Sequence, residues 1–326
     1  MATIKTVGIV GTGVIGASWT ALSLSRGLKV MVADPGPGAA DELSACVGSV
    51  WPALRRMGID RNAKPDNYKF VGKHLGEHIT NCDFIQEALD VKTKSLAELD
   101  RRAPKHVIIA SSSSGLPSSR FVGQCQHPER VLIGHPFNPP HLMPLVEVVP
   151  HKGTSDSAIK GALAFYESVG RKPVHIRQVM PGFAAKSLQA ALYNKAYSLV
   201  SRGVLSAEDL DACVTSSLGP RWAVVGLLLA NAMGGGGGSD GFRHLLEHLG
   251  PASKEWIEDM NAHTFGWNTE SLDALTKSVG EEFDGKYILD SATFVHLALL
   301  EECCCLNSFG FISRWFSILR TSLRSV

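Results

Sequence analysis

Two groups of residues in this chain have the types and spacing to do chemistry. In the first, Gly11, Gly13 and Gly16 form Gly-x-Gly-x-x-Gly directly after the run Val7–Val10, with Val14 and Ile15 between the last two glycines. Asp34 closes a second apolar run 18 residues beyond Gly16. Glycines so placed permit a tight turn and close approach of backbone to a pyrophosphate, and the next helix presents its positive amino-terminal dipole. A carboxylate at position 34 accepts from the adenosine ribose hydroxyls and repels a 2′-phosphate, so the pattern predicts NAD rather than NADP. The second group is His135, within Gly134-His135-Pro136-Phe137-Asn138-Pro139-Pro140, and Glu147, twelve residues on in the apolar run Leu145–Val148. A histidine on a loop after a strand, held by a carboxylate, makes a general base. Glu147 is costly to bury there unless paired. Ser111 to Ser114 add hydroxyls after the run Val107–Ala110. Structural roles, a histidine among prolines and serines capping a helix, also fit these residues.

The elements that must position these groups read as two domains. From Thr3 to about Val149, β-branched runs alternate with helical patterns, the signature of a mostly parallel, doubly wound α/β Rossmann sheet covered on both faces. A helix near 155–169 and a strand at 173–176 complete the unit. Met180-Pro181-Gly182 breaks the pattern, so the expected division is a nucleotide-binding domain over 1–180 and an all-α domain over 181–326. Apolar positions at Leu188, Leu192, Ala196 and Leu199 predict one helix over 183–202. Ser206 and Asp209 predict a capping box. Gly234 to Gly238 predicts a flexible connection.

Composition narrows the function classes. The 326 residues suffice for two cores, and charged residues, 19% of the chain, nearly cancel to +1. That argues against nucleic-acid or anionic-membrane partners and for a small-molecule substrate. The seven cysteines contain no Cys-x-x-Cys, which argues against disulfides and a zinc site and for a reducing compartment. No apolar run approaches the roughly 20 residues that span a bilayer. The first strand starts almost at Met1, so a cytoplasmic location is expected.

The motifs together resemble the 3-hydroxyacyl-CoA dehydrogenase family. That family combines an amino-terminal Gly-x-Gly-x-x-Gly, an Asn-Thr-Ser-Ser type segment, a His-x-Phe-Asn-Pro-x-x-x-Met-x-Leu-Val-Glu block and a Pro-Gly-Phe segment opening the helical domain. The counterparts here are Gly11 to Gly16, Ser111 to Ser114, His135 to Glu147 with Met143 in register, and Pro181-Gly182-Phe183. The resemblance covers about residues 3 to 285. It implies that His135 is the base, Glu147 its orienting partner, Ser114 a donor to the substrate oxygen, and Glu87 a residue lining the cofactor pocket. It also implies NAD-dependent oxidation of a 3-hydroxy group. In the helical half, Leu205–Asp211, Leu218–Ala223 and Gly241–His244 are similar to the λ-crystallin and L-gulonate 3-dehydrogenase branch and to carnitine dehydrogenase.

Two departures stand out. Lys186 occupies the position of a family asparagine beside the substrate carbonyl; its ammonium there would suit an oxyanion or a substrate carboxylate, or its long stem carries the charge out to solvent and leaves the amide position empty. The stretch after Leu289, with Cys303-Cys304-Cys305 and a basic amphipathic pattern from Phe311 to Leu323, differs from the family. Between residues 39 and 68, where acyl-CoA members carry a lysine-rich helical pair, there are only Arg55, Arg56, Arg61 and Lys64; these read as a solvated face. The alternatives are a sugar-acid or other 3-hydroxy acid dehydrogenase, a β-hydroxyacid dehydrogenase using Lys186, and a λ-crystallin-like NAD-binding protein with little or no catalysis. The apolar helices after Phe183 predict a homodimer joined through the helical domain.

Overall fold

The computed structural model describes residues 4–89, 92–236 and 240–283. Contacts among them form two units, one running to Lys186 and the other from Ser187. The first unit is built on one sheet. It opens with β1 (Thr6–Val10), α1 (Val14–Ser25), β2 (Lys29–Ala33), α2 (Ala39–Met57) and β3 (Tyr68–Phe70). The chain then returns to the far side of β1 for β4 (Phe84–Glu87), α3 (Lys92–Arg102), β5 (Ile108–Ser111) and β6 (Val131–Pro136). It ends with β7 (Leu145–Val149), α4 (Asp156–Ser168) and β8 (Lys172–His175).

The strand order is β3-β2-β1-β4-β5-β6-β7-β8, so the direction of winding switches between β1 and β4. Ligands of open α/β sheets bind at the carboxyl ends of the strands flanking such a switch. Every pairing is parallel except β6 with β7, which is antiparallel. The mostly parallel Rossmann sheet is as the alternation of runs predicts.

Alternate strand residues feed two cores. Val7, Phe84, Ala110, Leu132, Val146 and Val148 join Trp19, Leu22, Trp51, Phe165 and Tyr166 on the face covered by α1, α2 and α4. Val10, Ile85, Ile109, Ile133 and Val149 join Leu96, Leu99, Phe121 and Phe183 on the other. This alternation assigns Gln86 and Gly134 to the first face, and Glu87, Ser111, His135 and Glu147 to the second.

Helix α5 (Phe183–Ser201) begins in the first unit and continues into the second. The second unit adds α6 (Ala207–Cys213), α7 (Gly219–Val225), α8 (Leu227–Gly234), α9 (Gly241–Ala262) and α10 (Thr269–Phe283). Half of the expected capping box is present: Ser206 Oγ accepts from the Asp209 N–H at 3.1 Å, while the Asp209 carboxylate accepts from the Ser206 hydroxyl at 2.8 Å rather than from its backbone N–H. Gly234, expected in the glycine connection, is instead the last residue of α8; Gly237 and Gly238 lie outside the described residues, as do the stretch beyond Leu289 and the amphipathic segment from Phe311. Among the described residues no single helix is long and apolar enough to cross a membrane.

Candidate active site

The three glycines of the first motif do three different things. Gly11 turns the chain at φ 92°, and a Cβ there would meet the Ala88 backbone at 3.0 Å. A Cβ on Gly16 would stand 1.8 Å from the Gly11 carbonyl oxygen, so α1 packs on the turn only because that atom is missing. Gly13 is different: a Cβ there would meet nothing within 4 Å. It is the amino-terminal cap residue of α1 and supplies no side-chain hydrogen bond to the helix, which leaves backbone N–H groups beside open space. A pyrophosphate fits that arrangement. Val14, 67% exposed, and the half-buried Ile15 begin the helix there.

Asp34 lies just past β2. Its Oδ2 accepts from the Thr12 hydroxyl at 2.9 Å and from the Thr12 N–H, and Oδ1 accepts from the Gly36 N–H at 2.6 Å. Burial alone would raise its pKa, but these hydrogen bonds outweigh it and hold the carboxyl below its usual range. Next to it, Val10, Pro35, Leu75, Leu89 and Glu98 line a cavity of about 220 Å³.

The second motif sits on the opposed strands β6 and β7. His135 is not on a loop, as its prolines suggest, but within β6. It is the direct register partner of Glu147, so both side chains leave the sheet on one face and His135 Nδ1 lies 2.8 Å from Glu147 Oε2. Both are buried, with side chains 4% and 1% exposed. The other carboxylate oxygen accepts from the N–H groups of Ala184 and Ala185, each at 2.9 Å, in the first turn of α5. Burial pushes the Glu147 pKa up. The hydrogen bond from His135, the two N–H groups and the neighbouring imidazole together bring it below its ordinary value. Charge-assisted hydrogen bonds are worth roughly 1.5–3 kcal/mol each, enough in combination to offset several kcal/mol of desolvation.

Phe183 holds this junction together. Its φ of 53° lies in the left-handed region, which costs an L-residue roughly 1–2 kcal/mol. Its ring is fully buried and packs edge-on to His135 at 5.6 Å, and burying such a ring returns roughly 1.5–3 kcal/mol. Phe137 flanks the imidazole at 5.2 Å on another side.

The serine run divides between roles. Ser111 is inside β5 and donates to Glu87 Oε2 at 2.7 Å. Ser112 accepts from Gln86 Nε2 at 2.8 Å. Ser114 is exposed, with no hydrogen bond of its hydroxyl among the described residues. Its turn lies beside the Pro-Gly-Phe segment, since a Cβ on Gly115 would reach Gly182 Cα at 3.8 Å.

Glu87, at the end of β4, is fully buried, and Lys92 Nζ lies 3.0 Å from Oε1. Burial raises its pKa despite the attraction of Lys92 and the bonds from Ser111 and the Leu89 N–H. Lys186 is exposed and forms no ion pair among the described residues.

Several supporting residues carried no warning in the sequence. Ser18 Oγ lies 2.7 Å from His141 Nδ1 and accepts from the His141 N–H at 2.9 Å, tying the β6–β7 loop to α1. Arg171 donates to the Pro140 and Met143 carbonyls of that loop at 3.0 and 3.3 Å.

Comparison with known proteins gives the family. Residues 6–179 match the NAD binding domain of 3-hydroxyacyl-CoA dehydrogenase and residues 182–269 match its C-terminal domain. The chain belongs to the 3-hydroxyacyl-CoA dehydrogenase family. It is similar to a 3-hydroxyacyl-CoA dehydrogenase of Gibberella moniliformis, with 50% identity over 85% of this chain and 87% of the relative. It is also similar to L-carnitine dehydrogenase of Pseudomonas aeruginosa, with 42% identity over 76% and 78%.

Among solved structures, the fold is like that of 5-formyl-3-hydroxy-2-methylpyridine 4-carboxylic acid 5-dehydrogenase, with TM-score 0.72, 22% identity and coverage of 94% and 98%. It is also like that of (S)-3-hydroxybutyryl-CoA dehydrogenase from Ralstonia eutropha, with TM-score 0.61, 24% identity and coverage of 86% and 95%. The chain is thus an NAD-dependent dehydrogenase of the 3-hydroxyacyl-CoA dehydrogenase family. The glycine motif belongs to the family's NAD binding domain, and α5 opens its C-terminal domain.

Proposed function

We propose that this dehydrogenase oxidises the secondary 3-hydroxy group of a small acid or its thioester, with His135 as the base. The observation that carries the reading is the buried His135–Glu147 contact, anchored on the α5 amino terminus. With Nδ1 committed to Glu147, Nε2 is the ring nitrogen left to take the hydroxyl proton. Glu147 stays ionised, fixes the tautomer and stabilises the imidazolium as it forms. Ser114 donates to the substrate oxygen as its carbonyl develops. NAD+, when bound, accepts the hydride.

Gly11, Gly13, Val14, Ile15 and Gly16 hold the pyrophosphate end, Asp34 takes the ribose hydroxyls, and the adjacent cavity suits the adenine. Glu87 shapes the floor of the cofactor site by fixing Leu89 and Lys92.

A second reading, a 3-hydroxy acid substrate without coenzyme A, is favoured by a specific feature. Arg55, Arg56, Arg61 and Lys64 are all exposed, and α2 stands alone, followed by non-helical chain to Tyr68. Similarity to L-carnitine dehydrogenases at 38–42% identity supports it, as do the segments shared with the λ-crystallin and L-gulonate 3-dehydrogenase branch. NADH formation with 3-hydroxybutyryl-CoA, L-gulonate and L-carnitine, measured side by side, tests both readings. Turnover of the thioester supports a coenzyme A substrate, preference for a free acid supports the second reading, and no turnover of any favours a λ-crystallin-like NAD-binding role.

The exposed Trp256, Ile257 and Leu249 of α9 support assembly of two copies through the helical unit. A monomer by light scattering would contradict it. The free Cys46, Cys82, Cys125 and Cys213 fit a cytoplasmic, reducing location.

A further inference from the structure

Behind the strand that carries His135, on the opposite face of the sheet, lies a buried polar network that takes no part in the chemistry above. Gln86, in central strand β4, is 1% exposed and Tyr166, on α4, is fully buried. The Tyr166 hydroxyl donates to Gln86 Oε1 at 2.6 Å. Gln86 Nε2 donates to the Gly134 carbonyl at 3.2 Å and to Ser112 Oγ at 2.8 Å.

The amide orientation follows from the partners. The Gly134 carbonyl can only accept, so Nε2 must face it, and Oε1 is left for the tyrosine. Both N–H groups and the oxygen are then engaged, which is the condition under which a buried amide rigidifies its surroundings. Packing enforces the arrangement, because a Cβ on Gly134 would lie 1.8 Å from the Tyr166 oxygen. Burial drives the tyrosine pKa upward, so the hydroxyl remains a neutral donor.

Through its two N–H bonds the amide nitrogen of Gln86 grips both the carbonyl of Gly134, the residue bonded to His135, and the hydroxyl of Ser112, two residues before Ser114. We infer that Gln86 and Tyr166 are positioning residues for the dehydrogenase reaction, setting where the base and the hydroxyl donor stand relative to each other. The inference rests on the assignment of His135 and Ser114 given above. Neither residue touches the reacting atoms.

Tyr166→Phe removes one hydroxyl, and Gln86→Met keeps volume while deleting all three bonds. Each should lower kcat roughly three- to thirtyfold, Gln86→Met more, since small displacements of catalytic groups carry costs of that order. KM and NAD affinity should stay within about twofold. A second readout needs no turnover. The downfield proton NMR line of the His135 Nδ1–H, assigned by its loss in His135→Ala, should shift or broaden in Gln86→Met.

The inference is overturned if that line is unchanged in Gln86→Met, or if both variants keep wild-type kcat. It is also overturned if Tyr166→Phe lowers turnover by the same factor in a His135→Ala background as in the wild type, because a general loss of stability would act equally in both. Failure of His135→Ala itself to lower turnover would reject the assignment of the base and leave the NMR result to decide the positioning role.

Discussion

His135 and Glu147 face one another across antiparallel strands, with Nδ1 and Oε2 2.8 Å apart, while the second carboxylate oxygen caps α5. One side chain therefore orients the imidazole and fastens the first turn of α5 at Ala184 and Ala185. Glu147→Gln keeps the shape, but its NH2 facing Nδ1 would force the proton onto Nε2, the wrong tautomer for a base. Turnover should fall about 10- to 1,000-fold, with NAD affinity within about twofold. Wild-type kinetics in this variant would show that the carboxylate is not needed.

The same residue gives a pH-dependent stability. The folded-state pKa of Glu147 lies below its ordinary value of 4.5. Its contribution is therefore fully present above that value and is lost as pH falls through the folded-state pKa. Unfolding midpoints of wild type and Glu147→Gln should converge as pH is lowered from 6 to about 3. A constant gap across that range would mean that Glu147 is not a stabilising ionised group.

Asp34 should set cofactor choice. NAD+ should bind at least about tenfold more tightly than NADP+, because a 2′-phosphate would meet a carboxylate in its place. Asp34→Ala should narrow the ratio, as read by binding titrations. Tighter binding of NADP+ to the wild type would reject the assignment.

Gly134 has no room for a side chain. Gly134→Ala drives a methyl group into the Tyr166 oxygen 1.8 Å away, at a cost of about 1–3 kcal/mol. The melting temperature should drop by roughly 3–10 °C for a unit of this size. Gly123→Ala is the control, as nothing lies within 4 Å of a Cβ there. Equal melting temperatures for the two variants would contradict the packing.

Much of this arrangement was legible in the sequence, but unevenly. The glycine motif and Asp34 were readable because Gly11 and Gly16 answer local backbone needs, while Gly13 leaves open space in front of the helix. The pairing of His135 with Glu147 was readable as chemistry, while its geometry was masked by Pro136, which made a strand end look like a loop. The link from Phe137 to Pro144 is shorter than the dozen or so residues a parallel crossover needs, so the reversal at β7 follows from loop length. Strand β3 is only Tyr68–Phe70, too short for a period to register. The Gln86–Tyr166 bond joins residues 80 apart; a glutamine on the face of β4 that Phe84 gives to the core is its one trace.

Lys186 should bear on substrate preference. If its ammonium meets a substrate carboxylate, Lys186→Asn should raise the ratio of kcat/KM for 3-hydroxybutyryl-CoA over L-carnitine about tenfold, the equivalent of about 1.4 kcal/mol. An unchanged ratio would place this exposed side chain in water during the reaction.

Every step of the proposed oxidation depends on His135 as the base. The most direct measurement is single-turnover NADH formation by wild type and His135→Ala, on whichever 3-hydroxy substrate the wild type oxidises, at saturating NAD+. The rate should fall at least about a hundredfold, in line with general-base contributions, with NAD+ affinity within about twofold. A variant that forms NADH within about threefold of the wild-type rate would contradict it, since general-base loss costs far more than that.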